Sequence, residues 1–295
     1  MMARRGNYMD TIQIIRDMQV NEITESMIYT RVAKRVKDPH NRETLLKIAA
    51  EERRHAEIWK RYTKVEAKPK WFKVFWYTLM ASILGYTFAL KRMELGEGDA
   101  SETYSSIAHE VPEAMQIAQD EDRHEASLLE LLDEERLQYV GSMVLGLSDA
   151  LVELSGTLAG LTFAMQNTRL IALSGLITGI SATLSMASSE YLSSRSEGSK
   201  NALKSGLYTG VVYLATVAFL VLPYLLLPPT HFMGALAIML GTVVIIILAF
   251  TYYISVAKSV PFLRRFGEMA IISLSVAALS FVIGIVVKNT LGIDL

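Results

Sequence analysis

"EERRHAEIW", residues 51–59, and "DEDRHEASL", residues 120–128, decide how the first half of this chain folds. In each stretch a glutamate stands three residues before a histidine, Glu52 before His55 and Glu121 before His124. Both stretches favour helix, and helical residues three apart share a face, so each pair offers a carboxylate and an imidazole to one point. The separation is the same for both members, 121 − 52 = 69 and 124 − 55 = 69. One Glu-x-x-His is ordinary on a solvated helix. Two at a single offset indicate an internal duplication.

A duplication extends to what precedes each pair. "NEITESMIYTRVAKRV", from Asn21, carries Glu22 and, one turn later, Glu25. "MELGEGDASETYSSIA", from Met93, carries Glu94 and Glu97. Glu22 stands seven residues before Tyr29, and Glu97 seven before Tyr104. The order is therefore glutamate helix, ExxH helix, glutamate helix, ExxH helix. Two ExxH helices and a glutamate from each of two others supply the ligands of a di-iron or di-manganese carboxylate site in a ferritin-like four-helix bundle.

These same stretches, "NEITESMIY", "EERRH", "MELGEGDASETY" and "DEDRH", resemble the ferritin-like domain of the rubrerythrin family over roughly residues 10–137. The resemblance implies that Glu22, Glu52, His55, Glu97, Glu121 and His124 are metal ligands, with Glu94 an extra or exchanging one. Glu22 is preferred to Glu25, and Tyr29 and Tyr104 are either neighbours of the ligands or buried structural residues. His40, His109 and His231 fall outside the pattern and read as surface or loop residues. Rubrerythrins that reduce peroxide carry a Cys-ligated iron module, whereas this chain has no cysteine. A complete peroxidase cycle within one chain is thus not expected, while Fe²⁺/Fe³⁺ or Mn²⁺ binding and ferroxidase-type oxidation stay open.

The 295 residues leave room for a second domain, and the charge distribution shows where it begins. Residues 1–140 hold 21 of the 29 Lys and Arg and 24 of the 30 Asp and Glu, so residues 141–295 are strongly apolar. Neither half has the basic excess of a nucleic-acid binder. The absence of cysteine also removes disulfides, thiolate nucleophiles and Cys-ligated zinc. "MMARRGNYMDTIQ" lacks the apolar core of a secretory signal, which places the charged half in the cytoplasm.

From residue 142 onward, apolar runs near the roughly 20 residues needed to cross a bilayer follow one another. Five helices are predicted, at 142–165, 169–193, 204–227, 232–257 and 267–288, with a break "VPFLRRFGE" before the last. Arg195, Lys200 and Lys204 fall in the second break and Lys258, Arg264 and Arg265 around the fourth. The positive-inside rule puts both in the cytoplasm, so with five spans the N-terminal half is cytoplasmic and the C-terminus outside. Glycines four apart (Gly156/Gly160, Gly175/Gly179, Gly206/Gly210) read as sites of close helix approach. "WFKVFWYTLMASILGYTFAL", 71–90, is long enough to be a sixth span, but it would put the two ExxH pairs on opposite sides of the membrane. It is read as a buried or membrane-skimming helix.

"VLGLSDALVELSG" places Asp149 and Glu153 one helical turn apart inside the first span. A charge at mid-bilayer costs about 2.5–3.5 kcal/mol on insertion scales, and such groups mark ion or proton routes. In the second span "LSMASSEYLSSRS" sets Met186 and Glu190 four apart near the cytoplasmic end, and Glu268 opens the fifth span beside Arg264 and Arg265 as an interfacial ion pair. "GLSDALVELSGTLAGL" and "GLITGISATLSMASSEYLSSRSE" are similar to the first two spans of the vacuolar iron transporter family, over about residues 140–290. That resemblance implies a homodimer exchanging Fe²⁺ or Mn²⁺ for protons, with Asp149, Glu153, Met186 and Glu190 on the path. The metal-binding insertion that many members carry between spans two and three is reduced here to "SRSEGSKNA". The combination is similar to proteins of the membrane-bound ferritin type.

The expectation is an all-α chain in two domains: a cytoplasmic ferritin-like one at 1–137 and a five-helix membrane one at 138–295 of a prokaryotic cell membrane. Its function would be proton-coupled metal efflux. The rival is a membrane-anchored ferroxidase or peroxide-scavenging enzyme. The absence of Pro around "ASLLELLDEERLQYV" suggests a near-continuous helix from the last bundle helix into the first span.

Overall fold

The computed structural model describes residues 2–95, 104, 107–130 and 139–291. Among these the chain forms ten helices and no strand. It divides into two compact units, residues 1–137 and 138–295. Glu97 lies outside the described residues, as does the segment 131–138 that would carry a continuous helix between the domains.

The first unit contains α1 (Met2–Ala33), α2 (Pro39–Thr63), α3 (Trp71–Leu84), α4 (Tyr86–Glu94) and α5 (Ala114–Glu130). The start of α2 is set locally: the Asp38 side chain accepts from the Asn41 N–H at 2.8 Å, and Pro39 occupies the first turn. α1 and α2 lie along one another, α3 packs on α1, and α5 packs on both α2 and α4. Two apolar clusters hold these helices. One joins Ile28, Leu45, Leu90, Met93 and Leu128, and the other Ile15, Trp59, Tyr104 and Ile117. Glu22 on α1 and Glu52 and His55 on α2 fall, in sequence, between the residues of these clusters. The carboxylates therefore enter a buried layer with apolar packing on both sides.

The apolar run 71–90 is not one helix. Gly85, at φ 99°, separates α3 from α4, in a conformation that glycine reaches without steric cost. The 14 residues of α3 reach only about 21 Å at 1.5 Å per residue, short of the roughly 30 Å hydrocarbon core.

The second unit contains α6 (Val140–Met165), α7 (Thr168–Ser196), α8 (Ala202–Leu226), α9 (Phe232–Lys258) and α10 (Phe262–Leu291). All five are long and apolar enough to cross a membrane. They match the five runs read from hydropathy, with one difference: α10 begins at Phe262, inside the expected break. Charge ended the apolar run there but not the helix, and Arg264 pairs with Glu268 at 3.0 Å along its first turns. α7 pairs closely with α8, and α6 with α10. At these crossings glycine is required by space. A Cβ on Gly206 would stand 2.6 Å from the Ala187 carbonyl oxygen, and one on Gly284 would stand 2.5 Å from that of Gly160. α6 is not uniform: Ala150–Leu154 forms a π turn.

Candidate functional site

α1, α2 and α5 bring Glu22, Glu52, His55 and Glu121 together, with one donor atom from each within 4.8 Å of the others, a group able to hold a metal ion. His55 Nδ1 faces three carboxylates, Glu121 Oε1 at 3.3 Å, Glu22 Oε2 at 3.6 Å and Glu52 Oε2 at 3.7 Å. The second imidazole completes the pattern, since His124 Nδ1 lies 3.0 Å from Glu52 Oε1 and 3.6 Å from Glu121 Oε2. Glu52 and Glu121 thus each stand between both histidines, whose rings stack 5.9 Å apart.

The outer nitrogen of each imidazole meets a further carboxylate. His55 Nε2 lies 3.2 Å from Asp120 Oδ2, and His124 Nε2 lies 2.6 Å from Glu51 Oε2. A carboxylate on the far nitrogen fixes ring orientation and leaves the near nitrogen for a cation. Sequence reasoning missed both residues, although the repeat could have found them: 120 − 51 = 69, the same offset as the ExxH pairs.

Glu22 is held at its other oxygen by Trp59 Nε1 at 3.0 Å and by the Tyr104 hydroxyl at 3.2 Å. Tyr29 donates to Glu94 Oε1 at 2.6 Å, so the glutamate of α4 is ordered inside the unit. Glu25 takes another direction and pairs with Lys73 of α3 at 3.1 Å. His40, His109 and His231 are all exposed.

The electrostatics are those of a buried acidic pocket. Burial and the neighbouring Glu52 hold Glu22 well above the usual carboxylate range. Burial raises Glu94 to about 7 against the lowering effect of the Tyr29 hydrogen bond. Burial opposes charge on both imidazoles, yet the surrounding carboxylates outweigh it: His55 is pushed up to about 12, led by Glu121 and Glu22, and His124 to about 10, led by Glu121 and Glu52. The same histidines hold Glu121 below its ordinary value despite burial. Three of the facing atoms, His55 Nδ1, Glu52 Oε2 and Glu121 Oε1, are buried without a hydrogen-bond partner. Such orphaned donors and acceptors are costly in a native protein. All three lie together, His55 Nδ1 being 3.3 Å from Glu121 Oε1 and 3.7 Å from Glu52 Oε2. The residues fit a carboxylate–imidazole metal centre; Mn²⁺ and Fe²⁺ both suit such ligands.

In the second unit Asp149 immediately precedes the π turn of α6 and Glu153 lies within it. π turns inside α-helices frequently sit at functional sites, because the wider turn re-aims neighbouring side chains. Asp149 is half-buried, whereas Glu153 is exposed on the unit's surface. The buried Tyr213 of α8 donates to Glu153 Oε2 at 3.3 Å and interacts with Asp149 as well. Glu190 of α7 accepts from Ser142 of α6 at 2.7 Å and from Ser194 at 3.1 Å, while Met186 packs against the apolar core. Among the described residues Asp149, Glu153 and Glu190 do not converge on one point within a single copy.

The π turn, both acids of α6, Met186 and Glu190 all fall within one stretch that matches a known family. The VIT family model matches residues 140–200. That region of VIT family similarity covers α6, α7 and the break after them. With five apolar helices it marks an integral membrane protein, and the VIT (vacuolar iron transporter) family points to membrane transport of metal ions. No curated protein and no solved structure matches the chain.

Proposed function

We propose that the chain is a proton-coupled exporter of Fe²⁺, or of Mn²⁺, working as a homodimer. Its first unit is a cytoplasmic ferritin-like di-metal domain that captures or oxidises the ion. The observation that carries this reading is the VIT family match over the span where one carboxyl precedes a π turn and another lies within it. An anchor needs one span and no intramembrane acid, so five spans carrying Asp149, Glu153 and Glu190 favour transport over a tethered enzyme.

In this reading Glu22, Glu52, His55, Glu121 and His124, with Glu94 and Glu97, would hold the metal, Glu52 and Glu121 being the carboxylates that both histidines face. Bound iron would supply one-electron redox chemistry with oxygen. The protein's own residues bury the site, orient the imidazoles through Glu51 and Asp120, and hold the Glu22 carboxyl through Trp59 and Tyr104. In the membrane Glu190 and Met186 lie toward the cytoplasm, and Asp149 and Glu153 farther in. A carboxyl pair that takes either protons or a divalent cation is the minimum requirement for antiport. The exposed Glu153, and a Glu190 that does not join Asp149 and Glu153 within one copy, support a path completed by a second copy.

The test is flux into proteoliposomes loaded with a metal-sensing dye, with Fe²⁺ or Mn²⁺ outside and with or without a proton gradient. Flux of at least one ion that rises with an opposing proton gradient is expected. Oxygen-dependent Fe²⁺ oxidation at the vesicle surface with no flux of either ion would replace transport by the tethered-enzyme reading.

A further inference from the structure

The outer face of α3 has no part in the metal site or the spans. Val74, Thr78 and Ala81 turn inward. Lys73 is tied to Glu25 of α1, and the Arg31 guanidinium lies 5.3 Å over the Trp71 ring. On the opposite side Phe72, Phe75, Trp76, Leu79 and Ile83 recur at helical spacing and are all exposed, Phe72 to 79% and Ile83 to 62%. A contiguous apolar face of this kind marks a surface that meets a partner or a membrane.

The composition around the face selects between them. Lys64, Lys68 and Lys70 lead into α3 and all three are exposed. Glu66, the acid among them, is paired with Lys60. A short helix with tryptophan and phenylalanine on one side and lysines at its end is the pattern of a segment lying in the headgroup layer. Where the second unit spans a membrane, the chain itself tethers the first unit to that bilayer. Ten Cα steps lead from Glu130 at the end of α5 to Val140 at the start of the first span, a tether of at most about 36 Å even when fully extended. A surface so confined meets its membrane at high effective concentration.

We propose that α3 is an interfacial docking helix. Phe72, Phe75, Trp76, Leu79 and Ile83 enter the headgroup–acyl boundary, and Lys64, Lys68 and Lys70 meet anionic headgroups. The proposal requires that the second unit spans a membrane, and it stands whether or not the first unit holds metal.

The chain carries its own probe. Of its three tryptophans, Trp59 is fully buried and Trp71 and Trp76 lie exposed on α3. The full-length protein is reconstituted in phosphatidylcholine vesicles with and without phosphatidylglycerol, with bromine on the acyl chains in one set. Brominated lipid is expected to remove the larger part of the emission, more so with phosphatidylglycerol present, and aqueous acrylamide to remove little. The variant Trp71→Phe/Trp76→Phe should retain only emission insensitive to bromine. Quenching by acrylamide without quenching by brominated lipid would put the face in water and overturn the proposal. Protection from both would show it covered by protein, a second copy included, and would overturn it equally. Bromine quenching that is equal in the two lipid compositions would overturn the assignment of the lysines to anionic headgroups.

Discussion

Metal binding in the first unit should release protons. With His55 raised to about 12 and His124 to about 10, both imidazoles are charged at pH 7 when no metal is bound. The nitrogen that faces the carboxylates on each, Nδ1, is the one a cation would take, so binding must displace its proton. Burial and Glu52 also hold Glu22 above its ordinary value, so its carboxyl can only add to that release. The two imidazole protons alone, shared over two ions, mean about one proton per ion. Apparent affinity should then rise about tenfold per pH unit per ion between pH 6 and 8, which is about 1.4 kcal/mol each. The assay is calorimetric titration of Mn²⁺ in buffers of different ionisation enthalpy, with the full chain carrying Asp149→Asn/Glu153→Gln to silence the spans. A slope of zero, with no buffer-dependent heat, would show that the imidazoles are neutral before binding or are not ligands.

Three further outcomes follow from single contacts. Glu51→Gln and Asp120→Asn each remove the carboxylate that holds an imidazole from its far side, so metal affinity by the same titration should fall about 10–100-fold. Unchanged affinity would deny them that role. Gly284→Ala places a methyl 2.5 Å from the Gly160 carbonyl oxygen, so thermal unfolding in detergent should show a loss of about 1–3 kcal/mol. Tyr213→Phe removes the hydroxyl on Glu153 and should slow flux while costing only about 0.5–1.5 kcal/mol of stability, so a normal rate would separate that hydroxyl from the path.

Much of this was legible because the relevant signals are periodic. The five apolar runs announce the spans through composition alone, and Glu22, Glu52, His55 and Glu121 announce themselves through spacing. What spacing does not carry is direction. Nothing local distinguishes Glu22 from Glu25 beyond the duplicated tyrosine offset, and it is Lys73, 48 residues away, that draws Glu25 out of the cluster. The π turn at Ala150–Leu154 has no sequence marker either, since "ALVEL" reads as ordinary helix and only packing around α6 can widen a turn. The split of 71–90 was accessible in principle through Gly85, but a glycine inside an apolar run is equally common in a continuous span.

The central claim is that the acids of the first span couple metal movement to protons. It is tested most directly by Fe²⁺ flux through Asp149→Asn/Glu153→Gln in proteoliposomes under an opposing proton gradient. Flux near the protein-free background is expected, with metal binding by the first unit intact. Flux at the native rate would contradict the claim.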